Sequence, residues 1–531
     1  MNYFWIALGF LLTAFGQPAW ISGFGSLAAL FGYALFWKGM LSLTRLRTRF
    51  ILAVFWFAAV QGVQLSWLAT PDYMGPFIIP FTLFLALGLG VQFGILSRFV
   101  SFPMSWSRLF ALAGVWAIFE YSRLFFLCGY TWNPAGLALT DTLYSLQFAS
   151  VWGIFGLSFW VILVNLALLK AWTETSKKQA ALGVSLALLP YLYGFAQIAW
   201  VDSWAPVSHT LKVALVQTNW APEEKDFDPK MPGAHVPPLH QWKEILTALP
   251  MEQECDLIIL PEAAFPLGAF SASYELASVM PLFDPEVMPP LVRPFAIFHR
   301  DSWRLCNAFL AQALANQFHA HVILGLDDRD REGKYNAAFH FIPFGAMPKR
   351  YEKQILAPIG EYIPLGQWRK WAQWIGEQYG IYSSFHPGKE GKIFHAQVPI
   401  GISICLEETF PDLMRQLRVK GAELFVSVSN DAFFPRTKLA RQHFDHGRVR
   451  AVENGIPLLR SCNSGITCGI DGCGRPLSIL SASKNTKTLF FSFPVRSYKT
   501  LYTFWGDAGI LSSSFALIAI NLLLSRKKKL P

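Results

Sequence analysis

The sequence predicts an α/β domain with covered sheets, inserted between polytopic α-helical membrane segments. Three observations predict it. Hydrophobic residues make up 53% of the 531 and charged residues only 15%, whereas a soluble chain carries about 25% charged. Mean hydropathy is +0.33, and the apolar excess is confined to residues 1–200 and Thr503–Leu524. Between those regions, short β-branched runs alternate with amphipathic stretches, the pattern of strands and helices in an α/β domain.

Crossing a bilayer takes roughly 20 apolar residues. Candidate spans are Asn2–Phe15, which is short, then Trp20–Leu41, Phe50–Ala69, Phe77–Leu96, Leu109–Leu127, Leu146–Leu169, Ala181–Trp200 and Thr503–Leu524. The expectation is therefore about eight crossings, all but the last before residue 202. The first lacks a basic start and a small-residue cleavage site, so it reads as a retained span and not a signal peptide. Arg45, Arg47 and Arg49 follow the second span, and Arg98 and Arg108 the fourth. Lys170, Lys177 and Lys178 follow the sixth, and Arg526 to Lys529 the last. All fall on one side of the membrane if the N-terminus is cytoplasmic, and the opposite loops are poor in Lys and Arg. Residues 203–499 then lie outside, and residues 500–531 form a final span with a basic cytoplasmic tail.

Two features stand out in the membrane part. Glu120 and Arg123 lie at i, i+3 near the outer end of the fifth span, a helix-end ion pair or a functional one. The loop Gly129–Pro134 is aromatic and turn-rich, and reads as interfacial.

In the outer segment, strands are expected at Lys212–Gln217, Asp256–Leu260, His321–Gly325, Tyr335–Ile342, Lys392–Ile404, Glu423–Ser429, Pro457–Cys462, Thr467–Ile470 and Thr488–Phe493. Helices are expected at Leu239–Leu249, Cys306–Phe318, Thr409–Lys420 and Leu439–Asn454. Lys230–Pro238 and Pro281–Pro294 read as loops long enough to cover a site. At roughly 300 residues the segment buries a large core as one domain. The seven cysteines show no CxxC and no zinc spacing.

Three strand ends carry chemistry. Leu260-Pro261-Glu262 places a carboxylate after an apolar run. Tyr351-Glu352-Lys353 leads into Ala357-Pro358-Ile359-Gly360-Glu361-Tyr362. Gly401–Ile404 ends in Cys405, followed by Leu406, Glu407 and Glu408. A thiol at a strand end, beside free backbone N–H groups, is expected to have a lowered pKa and to hold an oxyanion nearby. A glutamate can take its proton, and a lysine can supply positive charge to a tetrahedral intermediate. Singly, each has a bland reading: Glu262 as a helix cap, Lys353 as part of a basic turn with Lys349 and Arg350, Cys405 as a structural thiol. Together, in this order, they make the components of acyl transfer.

These motifs resemble the nitrilase (carbon–nitrogen hydrolase) superfamily. With the spans before and after, the whole chain is similar to the apolipoprotein N-acyltransferase family. The resemblance also rests on Ser429-Asn430-Asp431, on Arg448 to Glu453, on Asn463-Ser464-Gly465, and on the Glu120/Arg123 pair with its loop. It implies an αββα sandwich inserted between the membrane helices. It implies Glu262 as base, Lys353 as stabiliser of the intermediate and Cys405 as nucleophile, with Glu361 and Glu407 in support. It implies no cofactor and no metal. The implied partners are a phospholipid acyl donor, a diacylated apolipoprotein acceptor and the membrane, with no nucleic acid. The implied place is the bacterial inner membrane, with the catalytic domain on the periplasmic side. The chain departs from the family pattern in having Leu406 where a Tyr is usual and Ile355 where a His is usual. Phe227 and Trp242 are the candidates for an expected tryptophan after the first strand. Two rivals stand beside this reading: a membrane-tethered amidase or nitrilase acting on small C–N compounds, and a non-catalytic membrane binding protein of the same fold.

Overall fold

The structure, a computed structural model, describes residues 3–17, 20–225, 231, 233–363, 370, 374, 385–480 and 485–527. Asn2, Phe227, Pro364, Lys528 and Lys529 lie outside the described residues, as does part of the Lys230–Pro238 loop. The chain divides into two compact units. One comprises Met1–Ala205, Arg436–Gly455 and Tyr498–Pro531; the other comprises Pro206–Pro435 and Ile456–Ser497.

The second unit is the α/β domain, and its strands are β1 (Val207–Gln217), β2 (Leu257–Ile259), β3 (Tyr274–Glu275), β4 (Ala296–His299), β5 (Ser302–Leu305), β6 (His321–Arg329), β7 (Lys334–Phe341), β8 (Lys349–Glu352), β9 (Ile393–His395), β10 (Pro399–Ile404), β11 (Leu424–Ser429), β12 (Leu458–Cys462), β13 (Cys468–Ile470), β14 (Pro476–Ile479) and β15 (Lys487–Arg496). They form two six-stranded sheets, ordered β15-β1-β2-β6-β7-β8 and β14-β13-β12-β11-β10-β9. A small third sheet is ordered β3-β5-β4. In each large sheet the central pairs are parallel and the flanking pairs antiparallel.

The two sheets share one apolar layer. Alternate residues Leu211, Val213 and Leu215 of β1 meet Ile400, Ile402 and Ile404 of β10 and Leu424, Val426 and Val428 of β11. A period of two is what puts one side of each strand inward. Each such side chain, fully buried, contributes about 1.5–3 kcal/mol. Ser461 of β12 reaches across, its hydroxyl placed at 2.7 Å from the Val216 carbonyl and 3.1 Å from that of Ile259. Helices Pro238–Thr247 and Asn307–Phe318 cover the first sheet through Trp242, Ile245, Phe309 and Leu310. Helix Pro411–Val419 buries Met414 and Leu417, the latter against Gly401 of β10. The layering is therefore the expected αββα.

One expected strand is two. Lys392–Ile404 reads as a continuous apolar run, but β9 and β10 are antiparallel neighbours, with the Ala396 N–H donating to the Val398 carbonyl at the tight turn. Pro399, with no N–H to donate, opens the second strand.

A histidine stack lies in this domain. His340 of β7 stacks on Phe394 at 5.1 Å and on His321 at 5.1 Å, with His321 Nδ1 and His340 Nε2 2.8 Å apart. Burial lowers His340 to about 3, and His321, Lys349 and His395 push the same way. Burial lowers His321 too, with Asp256 opposing. A histidine with a depressed folded pKa stabilises fully above its unfolded value of about 6.5 and loses that contribution as pH falls. Stability should therefore drop by about 1.4 kcal/mol for each pH unit between about 6.5 and 3. Thermal unfolding of the purified protein at pH 7 and pH 4.5 checks this, and His340→Phe should flatten the slope by one proton.

The other unit is helical. Among the described residues, five helices are long and apolar enough to cross a membrane: Leu46–Gln64, Ile78–Arg98, Ala149–Glu174, Lys177–Trp204 and Leu501–Arg526. The other three expected spans are shorter or broken. Tyr3–Phe15 has 13 residues and Trp106–Ser122 has 17. The second candidate is split into Phe24–Leu27, a π turn at Ala28–Gly32, and Tyr33–Met40. Gly90 and Gly94 let Ile78–Arg98 approach Leu46–Gln64 closely, since a Cβ on Gly90 would lie 2.4 Å from the Val54 carbonyl oxygen. Small residues four apart are the usual means of such contact between membrane helices.

Glu120 and Arg123 form a buried hub in this unit, 3.9 Å apart. Glu120 Oε1 accepts the Trp116 indole N–H and the Ala135 N–H, both at 2.8 Å, while Arg123 Nε donates to Gln92. The pair thus ties its helix to the loop that follows. In that loop Trp132 packs edge-on against Trp67, His443 and His446. The two histidines belong to helix Leu439–Asn454, which lies in this unit. Its Glu453 pairs with Arg450 at 3.1 Å and accepts the Ile154 N–H at 2.8 Å. That N–H is free because the preceding Gly153 kinks its helix at φ 65°.

Candidate active site

The three strand ends meet at one edge of the sandwich. Glu262 follows β2, Lys353 follows β8 and Cys405 follows β10. Strand β8 runs in the direction of β6, because β7 is antiparallel to both, and β2 is parallel to β6. All three residues therefore leave their strands at carboxyl ends.

Unusual backbone geometry accompanies two of the three. Ala263, just after Glu262, has φ 44°, and Cys405 has φ 53°. Left-handed backbone at a non-glycine residue is costly and concentrates at functional sites. Beneath Glu262 lies Gly325 of β6, where a Cβ would sit 2.6 Å from the Glu262 Cα. Only glycine permits that approach.

Lys353 is almost sealed, at 1% exposure, and its Nζ lies 3.0 Å from Glu262 Oε1 and 2.9 Å from Glu361 Oε1. Glu361 Oε2 in turn accepts the Ala357 N–H at 2.6 Å. Burial works against the ammonium, but Glu262, Glu361 and Cys405 together hold the Lys353 pKa well above its ordinary value. The lysine is a fixed cation. Asn336 of β7, not singled out from the sequence, donates from Nδ2 to Glu262 Oε1 at 2.7 Å and to Glu361 Oε1 at 2.6 Å.

Cys405 keeps a partly exposed surface. Burial of its sulfur and the nearby Glu262 carboxylate push the thiol pKa well up, and Asp431 adds to this. Lys353 and the Asn430 N–H pull it down without prevailing. This corrects the expectation of a lowered pKa. Residues adjacent in sequence suggest backbone N–H groups, but desolvation and carboxylates from remote parts of the sequence decide the balance. The resting thiol is neutral, so its proton must leave as the sulfur attacks.

Glu407 lies at 0% exposure and is the joint of the site. Its Oε1 accepts the N–H groups of Gln354 (2.6 Å) and Ile355 (3.2 Å). Its Oε2 accepts the Tyr351 hydroxyl (2.9 Å) and the Ile404 N–H (2.8 Å). One carboxylate thereby clamps the residues on either side of Lys353 to the residue before Cys405. Burial raises Glu407 to about 7, with these donors, Ile404 foremost, and Lys353 pulling it back. Glu408 pairs with the fully buried Arg460 of β12 at 3.0 Å. Asn463 after β12 bonds Asn430 Oδ1 at 2.9 Å and the Trp220 N–H at 3.0 Å.

The departures from the family pattern also find places. Leu406 is buried in the turn Cys405–Thr409. Ile355 uses its backbone N–H on Glu407. Trp242 stacks on Phe265 at 3.8 Å inside the core, which removes it from the site.

The arrangement offers a thiol, a carboxylate, a buried ammonium and a backbone N–H at the sulfur, as acyl transfer through a covalent intermediate needs. Residues 212–512 match the family model described as carbon–nitrogen hydrolase. Residues 3–167 match the one described as apolipoprotein N-acyltransferase N-terminal domain. The apolipoprotein N-acyltransferase of Chlamydia pneumoniae is 31% identical, with 98% of this chain and 96% of that protein covered. Its counterpart in Chlamydia caviae is 29% identical, covering 97% and 94%. That of Geobacter metallireducens is 28% identical, covering 88% and 81%. With the membrane part and the α/β part both matched, and the likeness running end to end, this chain belongs to the apolipoprotein N-acyltransferase family of carbon–nitrogen hydrolases.

Proposed function

We propose that the chain moves an acyl group from a phospholipid to the α-amino group of the N-terminal diacylglyceryl-cysteine of apolipoproteins, through a thioester on Cys405. In the first half-reaction the Cys405 sulfur attacks the ester carbonyl as Glu262 takes its proton. Lys353 and nearby backbone N–H groups stabilise the oxyanion. Collapse breaks the C–O bond, and Glu262 returns the proton to the departing lysophospholipid. In the second half the amine attacks the thioester carbonyl, Glu262 takes the amine proton, and the C–S bond breaks to restore the thiol. The amide is the product. Glu361 holds Lys353, and Glu407 holds both strand ends in place.

The observation that carries this reading is the ammonium of Lys353, gripped by Glu262 and Glu361 and electrostatically coupled to Cys405. Family membership supplies the class of both substrates. Because each is lipid-anchored, a membrane-embedded enzyme turns a rare encounter into an oriented one. Basic residues after the second, fourth and sixth spans and in the tail favour both termini inside. Residues 203–499 then form a periplasmic catalytic domain on a bacterial inner-membrane protein of about eight crossings.

Incubating the full-length protein with phospholipid carrying an isotope-labelled acyl chain, followed by peptide mass spectrometry, tests it. The expected result is an acyl adduct on the Cys405 peptide, discharged by a diacylated lipopeptide with a free amine and absent from Cys405→Ala. No adduct on the wild-type protein, or one the lipopeptide cannot discharge, overturns the proposal.

A further inference from the structure

A single side-chain nitrogen holds both carboxylates of the site. Asn336 Nδ2 lies 2.7 Å from Glu262 Oε1 and 2.6 Å from Glu361 Oε1, and the same two oxygens receive Lys353 Nζ. The four groups close a ring: two acceptors bridged on one side by an ammonium and on the other by an amide. Meanwhile the Asn336 main-chain carbonyl accepts the Lys353 N–H at 2.9 Å. One residue therefore fixes the base, its supporting carboxylate and the backbone of the lysine.

Chemistry sets the orientation of the amide. An amide has two N–H groups and one oxygen, and only the nitrogen can face two carboxylates. Its Oδ1 is buried with no partner among the described residues. A core asparagine kept for stability satisfies both ends of its amide. Here one end stays unpaired so that the other can serve two carboxylates, which marks a group held for the site.

The ring also distinguishes the oxygens of Glu262. Lys353 and Asn336 both engage Oε1, and Oε2 accepts no hydrogen bond among the described residues. An oxygen with two donors on it is a poor proton acceptor; its partner is the better one. On the acyl-transfer reading given above, we propose that Asn336 is a positioning residue: it occupies Glu262 Oε1 and leaves Oε2 as the oxygen that takes the Cys405 proton. It acts through the two carboxylates that its amide nitrogen holds.

The test is single-turnover acylation of Cys405 by labelled phospholipid across pH 5–9, on full-length wild type, Asn336→Ala and Asn336→Asp. Asn336→Ala should acylate about 10- to 100-fold more slowly at pH 7, since a positioned base contributes about that much or more. Its acid limb should move up by about one pH unit, because an ionised carboxylate has lost a donor. Asn336→Asp keeps the shape but sets a third carboxyl against the other two, and should lose more than Asn336→Ala. Thermal unfolding of each variant is measured alongside, and the near-isosteric Asp variant is decisive should the Ala variant fail to fold. Wild-type-like rates in Asn336→Asp, or a loss in Asn336→Ala that is uniform across pH, overturn the assignment. No adduct on the wild type would instead remove the acyl-transfer reading on which it rests.

Discussion

Lys353→Ala should reduce acylation of Cys405 by on the order of 10³-fold or more, the largest effect expected for a change outside the nucleophile itself. Two losses combine. The tetrahedral intermediate loses the sealed ammonium of Lys353, and loss of a single oxyanion donor already costs about 10²–10³. The site also keeps Glu262 and Glu361 side by side with no ammonium between them, at 3.0 and 2.9 Å from where it stood. Removing one partner from a buried ion pair costs about 3–5 kcal/mol unless the partner takes up a proton. A protonated Glu262 could not serve as base, so either response stops the reaction. Lys353→Arg should not rescue it. The guanidinium is larger and planar, and the site leaves a side chain 1% exposed with no room to spare. Single-turnover mass spectrometry of the Cys405 peptide measures the rate, and thermal unfolding of the same samples separates chemistry from folding. A variant within tenfold of wild type would take the lysine out of the mechanism.

Glu407→Ala should be nearly as damaging, for a mechanical reason. Four donors would lose their acceptor: the Tyr351 hydroxyl and the N–H groups of Gln354, Ile355 and Ile404. Each buried donor left unsatisfied costs about 1–3 kcal/mol. With some relaxation, a loss of about 4 kcal/mol is expected by thermal unfolding. Acylation should fall by about 100-fold even in protein that stays folded, because an ångström of drift between nucleophile and cation is enough. Glu407→Gln should lie between, since its amide oxygen still accepts while its NH₂ meets other donors. A Glu407→Ala protein of undiminished stability would show that the segment around Lys353 is held by something else.

Much of this was legible in the residues. Glu262, Lys353 and Cys405 each follow an apolar run, and a strand that ends at a polar residue delivers it to a sheet edge. The expected helix Leu439–Asn454 matches the observed bounds. What could not be read has physical causes. Asn336 sits inside a strand between Tyr335 and Ala337, where nothing local marks it; its meaning comes from two carboxylates on other segments. The thiol of Cys405 was misjudged because burial and the Glu262 charge are properties of the assembled sandwich, not of Ile404 or Leu406. The turn between β9 and β10 lacks glycine, so its apolar residues read as continuous strand. The β3-β5-β4 sheet escaped because its strands of 2 to 4 residues bury only one residue each and so lack the inward face that marks the equally short, fully buried β2.

The segment Arg436–Gly455 leaves the α/β unit after Pro435, contributes its helix to the membrane unit, and returns at Ile456 to begin β12. The polypeptide is consequently interleaved and not strung as anchor followed by enzyme. Scissors placed at Ala205 and Tyr498 would release a fragment carrying sixteen helical residues whose neighbours, Trp67, Trp132, Thr140 and Ile154, remain behind in the helical unit. Trading one half for a foreign counterpart would tear that helix from its seat, so a working graft has to carry Arg436–Gly455 along with the helical half.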